Sequence, residues 1–228
     1  MQERSVVDSM LLSRPVIQMF RRVGTIVIEP FSPSLLGTVS YDVTLGGSYF
    51  VPNPQFTAVN LNPYDERSIR SYWQLRTAMT VGDAQKAFPG IDLSGFGPND
   101  RVVVVPSRTL ILCHTVEWIG GRGAVATLMY GKSKWRRLGL EVCSDSAVGN
   151  TGVNRWVMEL NNDTDRAIPI RAGDAVAQIM FHAVMPVRQK RADGSNGTYN
   201  GSKPLEQLMR EWTPGKMLPK PNGVPFKS

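Results

Sequence analysis

Cysteine and histidine are scarce: the 228-residue chain holds two of each, Cys113, Cys143, His114 and His182. Neither cysteine has a CxxC companion or a partner at metal-ligand spacing, and a His/Cys zinc cage would consume nearly the whole stock of both residues. No zinc site is expected, and the two thiols read as reduced and half-buried in a reducing compartment. Long apolar runs are missing too. The best candidate, residues 102–118, is broken by Pro106, Ser107 and Arg108 and falls short of the ~18 residues that a membrane span needs. The opening Met1-Gln2-Glu3-Arg4-Ser5 is followed by no signal-peptide core, which predicts a soluble cytoplasmic protein without a membrane partner. Aromatic residues make up 8% and are not interleaved with the basic segments as a single-strand platform requires, so nucleic acid is not the expected partner.

What is present is an ordinary globular mixture, 42% hydrophobic and 20% charged, long enough to bury a core without disulfide staples. Gly and Pro number 21 and 16, together about 16% of the chain against a usual ~12%. That excess favours turns, and therefore strands over helices. The formal charge of +7 suits an anionic ligand, nucleic acid or solubility alone.

Patterning divides the chain unevenly. Apolar residues at 3–4 spacing (Met10, Leu11, Ile17, Met19, Phe20) predict a helix beginning near Pro15, and Ile26-Val27-Ile28 predicts a short strand. Alternation at Val39, Tyr41, Val43 and Leu45, closed by Gly46-Gly47, predicts a strand and turn. Residues 51–100 read as an irregular excursion with one helix over 66–79. From Arg101 the pattern turns to strands at 102–105, 109–116, 123–130, 138–143, 155–160, 167–171 and 176–183, separated by turn residues. Strands at this spacing without intervening helices argue for a mainly β, antiparallel sandwich or jelly-roll. We expect a single domain over 1–203, then a short amphipathic helix carrying Leu205, Leu208, Met209 and Trp212 and a Pro/Lys-rich tail to residue 228.

Two features carry chemistry. Gly131-Lys132-Ser133-Lys134-Trp135-Arg136-Arg137-Leu138-Gly139-Leu140 is the densest basic segment and falls between two strands. Lys, Arg, a Ser hydroxyl and a Gly-freed backbone suit a triphosphate, and they equally suit a solvated basic turn; the Walker A spacing is absent. The second is Glu159 in Trp156-Val157-Met158-Glu159-Leu160. A carboxylate with apolar neighbours on a strand is either an outward edge charge or a placed general base.

The order of four segments adds a resemblance. Residues 26–46 (IVIEPFSPSLLGTVSYDVTLG), 131–140, 156–161 (WVMELN) and 168–181 (IPIRAGDAVAQIMF) resemble, in sequence order, the signatures of the dCTP deaminase branch of the dUTPase-like superfamily. Residues 13–17 (SRPVI) resemble its opening. The resemblance implies a distorted antiparallel jelly-roll, a homotrimer with sites between subunits, and zinc-free deamination of dCTP or a modified dCTP, with magnesium delivered by the triphosphate. It casts Glu159 as the base that takes a proton from water, Ser133 and Arg137 as its catalytic helpers, and Lys132 as a phosphate ligand. Lys134, Ser144, Ser146, Asn150, Gln178, Tyr199 and Lys203 become further substrate contacts. Asp42, the other carboxylate with strong context, in Tyr41-Asp42-Val43, reads as structural, a buried hydrogen-bond acceptor. The H-x-E and P-C-x-x-C signature of zinc deaminases is missing.

Three departures bear on function. Asn150 stands where the family has the Asp that activates water for dUTP hydrolysis, which disfavours pyrophosphate release. Lys134 replaces the second Ser of the phosphate motif. Residues 198–202 (TYNGS) keep the Tyr and Gly of the family's K-Y-x-G-Q but lose its Lys and its base-reading Gln; Lys203 is the nearest replacement charge. Two alternatives follow: a nucleotide pyrophosphatase of altered base specificity, with Asp145 as substitute base, and a non-catalytic trimeric nucleotide-binding or regulatory protein.

Overall fold

The computed structural model describes residues 10–143, 152–184 and 204–221. The chain opens with β1 (Met10–Leu11), α1 (Arg14–Arg22) and β2 (Ile26–Glu29), followed by β3 (Ser40–Thr44) and β4 (Ser48–Pro52). Pro15 in the first turn of α1 has a fixed φ suited to a helix start, as the sequence predicts. Next come α2 (Glu66–Tyr72), β5 (Trp73–Thr77), β6 (Met79–Thr80) and α3 (Val81–Ala87). The second half holds β7 (Arg101–Val105), β8 (Leu110–Gly121), β9 (Val125–Gly131), α4 (Ser133–Arg136) and β10 (Leu140–Cys143). It ends with β11 (Val153–Asn162), β12 (Ile168–Arg171), β13 (Ala175–Ala183) and α5 (Leu205–Glu211).

All strand pairs are antiparallel and build a jelly-roll. In the first sheet β13 is central, flanked by β9 on one side and by β3 and β1 on the other. The second runs β10-β11-β8-β4-β5, with β2 pairing the far half of β8. The third is β12-β7-β6. The main core lies between them: Tyr41 and Val43 of β3, Ile111 and Cys113 of β8, Met158 and Leu160 of β11, and Ile179 and Phe181 of β13 all point inward. Their period of two is the pleat of half-buried strands. No helix among the described residues is long and apolar enough to cross a membrane.

Residues 51–100 differ from expectation. They hold two helices and two short strands, and the helix predicted over 66–79 stops at Tyr72. From Trp73 the chain pairs with β4 (Trp73↔Pro52, Leu75↔Phe50), so a hairpin partner overrides the helical spacing of the sequence. The helix that sequence reading missed, α3, is capped by the Thr80 side chain, which accepts from Asp83 N–H. This segment covers the outer face of β7. Val103 and Val105 enter the main core, while Val102 and Val104 pack on Ala84 and Leu93. A strand apolar on both faces needs a cover on each, which explains the four consecutive valines.

The strand expected to end at residue 116 runs on to Gly121. Gly120 and Gly121 read as a turn, yet both sit in the ladder opposite Val27 and Ile26. They serve close approach: a Cβ at Gly120 would lie 2.0 Å from the Gly152 carbonyl oxygen.

Candidate active site

The basic segment folds into a turn whose side chains divide into anchors and presented groups. At Gly131, where β9 ends, an added Cβ would sit 2.9 Å from Val142 Cβ, so only glycine brings the turn this close to β10. Lys132 N–H donates to Val176 O at 3.0 Å, and one helical turn, α4, follows. Trp135 is buried and its indole N–H donates to Ala175 O at 2.9 Å. Arg136 bridges Glu141 at 3.0 Å and Asp163 at 2.9 Å. Gly139, at φ +80°, takes the chain out in a conformation that side chains disfavour.

Ser133, Lys134 and Arg137 remain exposed. Ser133 and Arg137 are four residues apart, which places them on one face of the turn. The Lys134 ammonium lies 4.4 Å over the Trp135 ring. Lys132 is half-buried and ion-paired with Asp42, so Asp42 is a counter-ion rather than a plain hydrogen-bond acceptor. Across the first sheet Asp42, Gln178 and Tyr130 form one row. Gln178 Oε1 accepts from Ser40 Oγ at 3.1 Å, which leaves its amide N–H2 to face outward partners. Tyr130 is 48% exposed at the end of that row and was not foreseen; its alternation with buried Met129 is the sequence signal that marks it as outward.

Glu159 stands on the other large sheet. In β11 the residues Trp156, Met158, Leu160 and Asn162 point inward and buried, so Glu159 and Val157 face out, Glu159 half-buried. Its cross-strand partners are Leu112 on β8 and Cys143 on β10. That outer face is partly covered by apolar side chains: Leu112 packs with Phe50, Ile69, Met217 and Leu218, and Val157 joins them. The C-terminal segment thus supplies part of the wall around this face. Trp212 contributes too, its ring 4.7 Å from the His114 ring and under the Arg155 guanidinium at 4.7 Å.

The turn and the carboxylate are brought to one region but not to one point. Through Arg136 and Asp163 the turn is fastened at the Asn162 end of β11, and Glu159 lies three residues further in, about 10 Å along the strand. Ser144, Ser146, Asn150, Tyr199 and Lys203, as well as Asp145, fall outside the described residues. Among the described residues no group of three His, Cys, Asp or Glu side chains gathers at metal-binding distance. Cys113 is fully buried, its thiol donating to Met158 O at 3.3 Å and pushed up in pKa by desolvation and by the charge of Glu159.

A buried carboxylate, Glu117, was not anticipated. It is 2% exposed, and its two oxygens accept from Thr44 N–H and Thr44 Oγ1–H, both at 2.9 Å. Burial raises its pKa, against the lowering effect of the Thr44 bonds and of the Arg155 charge.

Comparison with known proteins bears on this arrangement. A family model described as dCTP deaminase-like matches residues 11–184, which include the turn, the Asp42–Gln178 row and Glu159. The chain belongs to the dCTP deaminase-like family. Among relatives of this dCTP deaminase-like chain, the "dCTP deaminase, dUMP-forming" of Methanosphaerula palustris is 23% identical over 183 residues, covering 79% of this chain and 84% of that protein. The protein of the same name from Methanoculleus marisnigri is 25% identical over 162 residues, covering 71% and 74%. A crystal structure of the 2'-deoxycytidine 5'-triphosphate deaminase from Agrobacterium tumefaciens is similar at 17% identity with a TM-score of 0.48. It matches 77% of this chain, which spans about half the length of that protein (48%). The last three described strands, the Glu159 strand among them, and α4 lie within the dCTP deaminase-like match; α5 and the Trp212 segment lie beyond it.

Proposed function

We propose that the chain hydrolyses the exocyclic amine of a cytosine deoxynucleoside triphosphate, dCTP or a modified dCTP, releasing ammonia and leaving the uracil nucleotide. The observation that carries this reading is the turn of residues 132–137, whose aromatic and one arginine are spent on anchoring while Ser133 and Arg137 are presented on one face beside Lys132. Family membership and the names of its relatives support the reaction class.

In this reading Glu159 takes a proton from water and the resulting hydroxide adds to C4 as the C4=N3 double bond opens toward N3, giving a tetrahedral carbon. The carboxylic acid passes its proton to the amine, the C4–N bond breaks and ammonia leaves, and the proton of the C4 hydroxyl moves by way of Glu159 to N3, leaving the uracil carbonyl. Ser133 and Arg137 donate hydrogen bonds to the charge that develops on the base. Lys132 and Lys134 meet the phosphates, and magnesium enters as part of the substrate, chelated by the triphosphate. The ~10 Å along β11 from Glu159 to Asn162, the strand end at which Arg136 fastens the turn, favours a site completed by a second copy, with Glu159 from one protomer and the turn from another, in a homotrimer.

The test is direct. Purified protein with dCTP and magnesium is expected to release ammonia stoichiometrically with loss of the cytosine absorbance, and absence of ammonia from every cytosine nucleotide tried would overturn the reading. The relatives' "dUMP-forming" names favour a second reading, in which pyrophosphate is released as well. Asn150 argues against it, since an amide cannot serve as a base, and parallel assay of pyrophosphate separates the two.

A further inference from the structure

We propose that the Thr115 hydroxyl is a positioning group for Glu159: it sets the register of the strand that carries the carboxylate. This rests on the reading of Glu159 as the base.

The β8–β11 ladder is interrupted once. Arg155 pairs with Trp118 but Val157 pairs with His114, so Thr115, Val116 and Glu117 of β8 together oppose the single residue Trp156. Such a bulge leaves backbone groups without ladder partners, and here they are buried, where an unpaired N–H is costly. Thr115 is fully buried. Its Oγ1 accepts from Trp156 N–H at 3.0 Å and donates to Glu117 O at 2.7 Å. One hydroxyl therefore stands in for the missing carbonyl and closes the bulge from within its own strand. Arg155 supports it from outside, donating to Val116 O at 3.1 Å.

The shift amounts to two residues, which preserves the face of every side chain and moves β11 along β8 by about 7 Å. With the bulge, Glu159 stands opposite Leu112. Continued from the Arg155–Trp118 pair without it, the same ladder would set Glu159 opposite His114, beneath the Trp212 ring. The inward and outward pattern cannot choose between these two registers, because both bury the same faces. The hydroxyl can, since only the bulged register gives it both partners.

The bulge also explains how one strand serves two neighbours. Before it β8 pairs with β4 at Leu112, and at the first bulge residue, Thr115, it bridges Leu45; after it, residues Trp118–Gly121 pair with β2. Within the bulge Glu117 turns inward to hold Thr44.

The experiment combines residue-resolved amide exchange with kinetics on the full chain. In the wild-type protein the Trp156 amide should be protected as strongly as the ladder amides of β11, and an amide exchanging at the rate of an exposed loop would overturn the proposal without any variant. Thr115→Val keeps the shape and removes the hydroxyl. It is expected to speed Trp156 exchange at least ten-fold and to lower kcat for deamination at least ten-fold while changing KM less than three-fold, with Thr115→Ser restoring both. Thr115→Val with unchanged kcat, or a Thr115→Ser variant as impaired as Thr115→Val, overturns the link to Glu159. Wild-type protein that protects Trp156 but deaminates no cytosine nucleotide overturns instead the functional reading on which the link depends.

Discussion

Lys132 is ion-paired with Asp42, and the pair ties the phosphate-binding candidate of the α4 turn to strand β3. The ammonium is therefore held in place before any ligand arrives, and the carboxylate behind it is a negative charge that an incoming triphosphate feels once the lysine is gone. Lys132→Met removes a charge-assisted hydrogen bond, worth about 1.5–3 kcal/mol, so KM for dCTP is expected to rise about ten-fold or more with kcat little changed. Adding Asp42→Asn should recover part of that loss, because the repulsion goes with the carboxylate. Steady-state kinetics of the two variants check both steps; equal KM values for wild type and Lys132→Met would remove Lys132 from phosphate binding.

Glu159→Gln keeps shape and polarity while removing the base. Loss of general-base catalysis is expected to lower kcat by about 10²–10⁴, with nucleotide affinity nearly unchanged. Ammonia release together with equilibrium dCTP binding measures the two separately. A glutamine variant that retains more than a tenth of wild-type turnover excludes Glu159 as the base.

Strands of the second half such as β13 were legible because they alternate against one core, as Ile179 and Phe181 do around Met180, and β7 was legible from its run of valines. The segments at residues 73–77 and 120–121 were not. Ile69, Tyr72, Trp73 and Arg76 carry a helical spacing, yet a hairpin with β4 claims the last two. Gly120 reads as a turn but is a contact, and nothing in its neighbours announces that Gly152 will lie against it. At the site, the turn of residues 132–137 was visible from its charge density. Which of its residues are anchors was not, since Trp135 and Arg136 find partners on β10, on β13 and just past β11. Glu117 and Thr115 escaped notice because a lone Glu or Thr on a strand has no local mark of burial.

His114 predicts an acid limb in stability. The ring is buried beneath Trp212, and desolvation, aided by the Arg155 charge and opposed by the bond from Nδ1–H to Thr115 O, lowers its pKa to about 4. The unfolded imidazole takes its proton near pH 6.5. Between these values the unfolded state binds more protons than the folded one, so stability is complete above pH ~6.5 and declines as pH falls toward 4, by on the order of 3 kcal/mol in all. Glu117, whose folded pKa is raised, works the other way: its protonation favours the folded state just above the ordinary carboxylate range. Urea midpoints from pH 8 to pH 4 should fall most steeply below 6.5. His114→Asn, which keeps a donor for Thr115 O, should flatten that fall even if its midpoint at pH 8 is lower. An unaltered slope in the variant would assign the limb to other groups.

Close approach at the start of β11 gives the last prediction. Gly120 pairs with Val153 and with Val27, so backbone flanks it on both sides. A Cβ there would lie 2.0 Å from the Gly152 carbonyl oxygen and 2.9 Å from Val153 Cα, atoms that cannot swing aside as a side-chain end can. Gly120→Ala must therefore push the start of β11 away from β8, at a cost of about 2 kcal/mol by analogy with overpacked cores, or about 4–8 °C in Tm for a chain of this size. Gly47 is the matched control, for an added Cβ meets nothing within 4 Å. Gly47→Ala is expected to leave Tm unchanged or slightly raised through the lower entropy of its unfolded chain. Because β11 carries Glu159, the Gly120 variant should also lose turnover in its folded fraction. Thermal melts in which the two variants shift Tm equally would mean that β11 does not approach β8 this closely.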